Sequence, residues 1–216
     1  WIVPGTFLSN NFNISYGLGM LTVNKAMLNV TADDKVIFAG DPLPEFTFSY
    51  DGFVNNETEQ DVFGSDGPGY ILDPDYTGSA GTYQIIPSDI VANYIIVPIN
   101  GILYVNPSGT GARAIRPVLL CIEPLPPENA GYLYVAHFMY QNRNETVVYV
   151  PLGENNQIVS EGNFQAIDQP ELFVPGEGYF DVHFNGNKLV WTITSLEAGH
   201  KTAVSSEASS SSSRCS

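Results

Sequence analysis

Apolar and polar residues alternate with a period of two along nearly every regular stretch of this chain, as in strands that bury one face. "GILYVNP", "LYVAHFMYQN", "ETVVYVP" and "YFDVHFNGNKLVWTIT" are the clearest runs. In the last, Asn185-Gly186 suits the positive φ angles of a tight turn, so "FDVHF" and "KLVWTIT" are predicted to pair as a hairpin. Between the runs stand "GDPLPE", "GSDGPG", "DPDYTGSAG" and "LPPENAG", proline and glycine punctuation that a helix does not carry. An all-β chain without long helices follows.

One phrase occurs twice. "NFNISYGLGMLTVNK" (11–25) returns as "NYIIVPINGILYVNP" (93–107), with Asn11 on Asn93, Phe12 on Tyr94, Gly19 on Gly101, Leu21 on Leu103, Val23 on Val105 and Asn24 on Asn106. A period of 82 residues matches one whole β-sandwich domain rather than a solenoid coil. The second copy is therefore the closing hairpin of a complete unit over 25–106. Residues 1–24 are the terminal strands of a preceding repeat, with unpaired edges and an apolar face that need completion. Opening on Trp1 rather than Met, the chain reads as an internal or processed piece of a longer one. Residues 107–117, "NPSGTGARAIRP" and its surroundings, read as a linker, and 118–216 as a second sandwich.

Within the first unit, "LNVTADDK", "GDPLPEFTFSYDGF", "GSAGTYQI" and "NYII...NGILYV" together resemble the bacterial MBG repeat. The usual Tyr before the Gly-Asp-Pro step is replaced by "IFA". The resemblance implies an immunoglobulin-like module strung in arrays along large secreted surface proteins. The second half, from "CIE" through "GYLYVAHFMYQN" and "YFDVHFNGNKLVWTIT" to "SSSSSRC", is similar to a cysteine-bracketed β module of the same kind of protein. The expected fold is tandem immunoglobulin-like β-sandwiches.

Composition narrows the function. The 216 residues include 24 Phe plus Tyr, 20 Gly and 15 Pro, and only 8 Lys plus Arg against 23 carboxylates, a net charge of −15. So few basic side chains cannot clamp a phosphate backbone, which excludes nucleic-acid binding. No continuous apolar run reaches the length of a membrane span. An acidic surface keeps a secreted polymer soluble. Cys121 and Cys215, 94 apart, form no CxxC and have no neighbouring ligand set to suggest zinc, so a disulfide is expected to close the second unit. It also pins the serine-rich tail, which by composition alone reads as a linker.

Few residues offer further chemistry. His137, His183 and His200 lack the spacing that places two imidazoles on one metal, and read as sheet-surface histidines. No G-x-S-x-G elbow or phosphate-binding glycine loop is present, so no enzyme is expected. Among the turn carboxylates Asp33, Asp34, Asp41, Asp66, Asp73 and Asp75, the "DPD" pair Asp73 and Asp75 offers two ligands on one side of an extended segment to a structural Ca²⁺. The competing reading is turn-forming Asp, and no other cofactor is implied. Asn13, Asn29, Asn56 and Asn144 open sequons, glycan acceptors only if the source glycosylates them. The expected role is an extracellular structural or adhesive stalk or filament segment that self-associates or meets neighbouring repeats. The alternative is a carbohydrate- or receptor-binding module, with Tyr132, Tyr134, Phe138, Tyr140 and Tyr149 as a stacking face.

Overall fold

The computed structural model describes residues 5, 11–88, 90, 93–126, 131–195 and 201–215; Trp1 and His200 lie outside the described residues. The first unit contains β1 (Met27–Ala32), β2 (Lys35–Phe38), β3 (Phe48–Asp51), the single-turn helix α1 (Glu59–Phe63), β4 (Gly69–Asp73), β5 (Gly81–Ser88), β6 (Ile95–Ile99) and β7 (Gly101–Asn106). They form two sheets, ordered β3-β1-β6 and β2-β7-β5-β4. The second unit contains β8 (Arg116–Pro124), β9 (Tyr134–Asn142), β10 (Val148–Tyr149), β11 (Asn156–Ser160), β12 (Phe164–Ile167), β13 (Leu172–Phe173), β14 (Gly176–Phe184), β15 (Leu189–Ser195) and β16 (Lys201–Val204). Its sheets are β12-β14-β9-β8 and β11-β15-β16, with the short pair β10-β13 beside them. The chain is all-β, of sandwich type, as the alternation predicts.

The repeated phrase is not a hairpin. β6 pairs parallel to β1 in one sheet, whereas β7 pairs parallel to β2 and antiparallel to β5 in the other. The chain therefore crosses between sheets at Asn100-Gly101, just as β1 passes into β2 at Asp33-Asp34. A Cβ at Gly101 would sit 2.4 Å from the Ala32 carbonyl oxygen, so the two crossing chains touch backbone to backbone there. The Asp34 carboxylate accepts the Ile102 N–H at 2.7 Å and ties the two corners together. Asp33 accepts from Thr47 Oγ1 at 2.5 Å and Ser49 Oγ at 2.9 Å. These hydroxyls, Thr47 above all, hold its carboxyl below the usual carboxylate range.

Asn185-Gly186 departs from expectation in the same way. Gly186 has φ +92°, as the dipeptide predicts, but β14 pairs with β9 and β12 while β15 pairs with β11 and β16. The turn arches over the sandwich edge instead of joining neighbours. Phe180, Val182 and Phe184 then face Leu189, Trp191 and Ile193 across one core. Alternation with one buried face is identical in a hairpin and in such an arch, so pattern alone does not choose the partner.

Trp191 is the largest fully buried side chain, with Phe180, Phe138 and Phe173 around it at ring-centroid distances of 4.6, 6.1 and 6.2 Å. Its indole N–H donates to Asn156 Oδ1 at 2.9 Å. Asn156 Nδ2 in turn donates to the carbonyls of Val150 (3.0 Å) and Pro170 (2.7 Å). One buried amide thus satisfies polar groups from three directions around the aromatic core.

Candidate functional site

The two units meet through residues that flank the expected linker. Tyr104 of β7 stacks on Tyr149 of β10 with ring centroids 4.3 Å apart. Asn106, at the end of β7, donates through Nδ2 to the Tyr149 carbonyl and accepts the Tyr149 N–H on Oδ1, both at 2.8 Å. A side-chain amide here does what a neighbouring strand would do for a backbone residue. Burial raises both tyrosine hydroxyls above their ordinary value of 10, with the carboxylates Asp34 beside Tyr104 and Glu171 beside Tyr149 adding to it.

Residues 107–117 are docked rather than free. Ser108 Oγ donates to the Ala39 carbonyl at 2.6 Å, and the Ile115 N–H donates to Ser195 Oγ at 2.9 Å. Ile115 is fully buried in the second core, and Arg116 and Pro117 already belong to β8. Asn144 clamps the same segment: its Oδ1 accepts the Arg113 N–H at 2.7 Å while its Nδ2 donates to the Arg113 carbonyl at 2.7 Å. A glycan on Nδ2 would crowd that clamp, so the geometry assigns Asn144 to the linker. Asn13 and Asn56 are exposed; half-buried Asn29 reaches Asp51 Oδ2 at 3.4 Å.

Cys121 and Cys215 are joined in a disulfide, Cα to Cα 5.1 Å. The serine-rich tail lies along β8 like an added strand. Ile122 donates to the Ser213 carbonyl at 2.9 Å, and Cys215 donates to the Ile122 carbonyl at 3.2 Å. His137 is not an ordinary surface histidine: its Nδ1 lies 2.7 Å from Asp181 Oδ1, and its Nε2 is 3.9 Å from Glu123 Oε2. One ligand atom each from Glu123, His137 and Cys215 falls within 4.8 Å of the others, the one such grouping of three among the described residues. Asp73 and Asp75 are exposed and belong to no such group. Sequence reading missed the cluster because strand register and the returning tail create it, with no motif spacing. His183 lies on the sheet surface, its ring centroid 6.1 Å from that of Tyr132.

The expected aromatic stacking face is dispersed. Phe138 and Tyr140 are core, Tyr149 is in the joint, and Tyr134 lies under the Arg214 guanidinium at 4.7 Å. Aromatic and acidic groups converge instead on an open hollow in the first unit, lined by Phe46, Tyr70, Glu45, Glu59 and Asp66.

Residues 11–24 contain no strand among the described residues. Phe12, Ile14, Tyr16, Leu18, Met20, Leu21 and Val23 are 39–83% exposed, whereas the matching Leu103 and Val105 of β7 are buried. No helix among the described residues is long and apolar enough to cross a membrane.

Residues 28–104 match the family model of the MBG domain, YGX type. No curated protein and no solved structure matches the chain.

Proposed function

We propose that this chain, whose residues 28–104 carry an MBG domain, is a non-catalytic, load-bearing segment of an extracellular cell-surface polymer, a stalk or filament of structural or adhesive role. The observation that carries this reading is the path tension takes. Cys121 lies in the strand that opens the second unit, and Cys215 follows 94 residues later. Force applied to the two ends passes from Cys215 through the disulfide into β8, then along the backbone of the docked linker into the MBG domain. The residues between the two cysteines stand outside that path. MBG domains are typical of extracellular proteins, where a disulfide persists. Stretching single chains with the disulfide intact and reduced tests the reading.

The apolar segment 11–24 supports contact with identical subunits or neighbouring repeats, because residues of the same type at the same spacing are buried in β7. Sedimentation of the chain over a range of concentrations tests self-association. A second reading, a carbohydrate- or receptor-binding module, is favoured by the hollow in which Phe46 and Tyr70 pack at 4.3 Å beside Glu59 and Asp66. Glycan-array binding that disappears in Tyr70→Ala would favour it; no binding to any glycan would remove it.

A further inference from the structure

On the sheet face opposite the aromatic core, β8, β9 and β14 set Cys121, His137 and Asp181 side by side as direct cross-strand partners. Glu123 follows Cys121 by two residues and points the same way. Asp181 engages His137 Nδ1 at 2.7 Å, which leaves the lone pair on Nε2 when Nδ1 carries the proton. That Nε2 atom is buried, has no hydrogen-bond partner among the described residues and lies 3.9 Å from Glu123 Oε2, while a ring nitrogen of His137 lies within 4.8 Å of Cys215 Sγ. A carboxylate on one imidazole nitrogen with the other nitrogen unoccupied is the arrangement of a metal-ligating histidine. Cys121, bonded to Cys215, places a fourth donor one bond away.

We propose that Cys121, Cys215, His137 and Glu123 bind one Zn²⁺ when the disulfide is reduced, with Asp181 as the positioning residue. Metal and disulfide are then alternative closures of the same 94-residue loop. A dithiol or a phosphine supplies the two electrons that break the S–S bond: the dithiol gives up its two protons and becomes a disulfide, whereas the phosphine takes its oxygen from water, which also supplies the two protons, and becomes a phosphine oxide. Two protons go to the sulfurs, and Zn²⁺ displaces them. Two thiolates, a neutral imidazole and a carboxylate make a tetrahedral N/O/S set of the kind zinc prefers. Zn–S bonds of about 2.3 Å require the sulfurs to part to nearly 4 Å. The Ile122–Ser213 and Ile122–Cys215 backbone bonds hold the tail beside β8 without help from the disulfide, so Cys215 remains in reach. The site gives the reduced chain a way to hold its tail in place before oxidation.

The test uses the whole chain, reduced with a phosphine, and Co²⁺ as a spectroscopic stand-in for Zn²⁺. The expected result is one equivalent of Co²⁺ bound with a thiolate-to-cobalt charge-transfer band, displaced by Zn²⁺ and absent from the oxidised chain. His137→Gln and Glu123→Gln should weaken binding at least about 10-fold. Asp181→Asn, which keeps a hydrogen-bond acceptor, should leave the band in place and weaken affinity about 10- to 100-fold. A reduced chain without the band overturns the proposal. So does Co²⁺ affinity that is indifferent to His137→Gln, which is the result an unfolded chain binding through two thiolates alone would give.

Discussion

The side-chain amide of Asn106 grips the backbone of Tyr149 at both ends, with N–H and C=O each 2.8 Å from its partner atom. Asn106 is itself buried, so neither hydrogen bond is easily replaced by water. Asn106→Ala leaves the Tyr149 N–H and carbonyl without these partners, at about 1–3 kcal/mol. Spin labels placed one in each unit should give a single narrow distance distribution in the native chain and a broadened one in this variant. An equally narrow distribution in both would show that the amide does not set the joint.

The stacked Tyr104 and Tyr149 make the joint sensitive to alkali. Both hydroxyl pKa values are raised above the unfolded value near 10 by burial and nearby carboxylates. Their contribution is therefore fully present below that value and is lost as pH climbs through the raised ones. Tyrosinate absorbance should show Tyr104 and Tyr149 titrating above the ordinary range together with Tyr50, Tyr94 and Tyr179, whose hydroxyls are also raised, and one group fewer there in Tyr149→Phe. Spin-label distances should broaden over the same interval.

At the sheet crossing, Gly101→Ala puts a methyl group 2.4 Å from the Ala32 carbonyl oxygen, in a place where both neighbours are backbone. The MBG domain should lose about 1–3 kcal/mol in denaturant unfolding, as overpacked sites do. The unfolding midpoint of the second unit should not move. An unchanged first transition would mean that the two crossing chains are free to separate.

Asn156→Ala removes the acceptor of the buried Trp191 N–H and the donor of the Val150 and Pro170 carbonyls. The second unit should lose about 1–3 kcal/mol for each group left without a partner. Trp191 fluorescence follows the transition directly, and an unaltered midpoint would contradict the role given to this amide.

The strands and the disulfide were legible in the sequence. Period-two alternation reports burial of one face, which each strand keeps whichever neighbour it pairs with. For that reason Asn185-Gly186 and Asn100-Gly101 read as hairpin turns although each carries the chain from one sheet to the other. The linker was misread because small and polar residues hide Ile115, which is core, and the Asn144 clamp depends on a residue 31 positions away. The cluster at His137 was beyond reach for the same reason: residues 121, 123, 137, 181 and 215 share no motif, and only cross-strand register assembles them.

Stretching a single chain by its two ends, oxidised and then reduced, tests the load-bearing account most directly. With the disulfide intact, the account predicts unfolding of the MBG domain alone while Trp191 stays buried. After reduction a second event should appear that releases the 94-residue loop. At the reach of an extended chain, that loop is about 300–340 Å long. Unfolding of the second unit ahead of the MBG domain in the oxidised chain, or no added length after reduction, would contradict it.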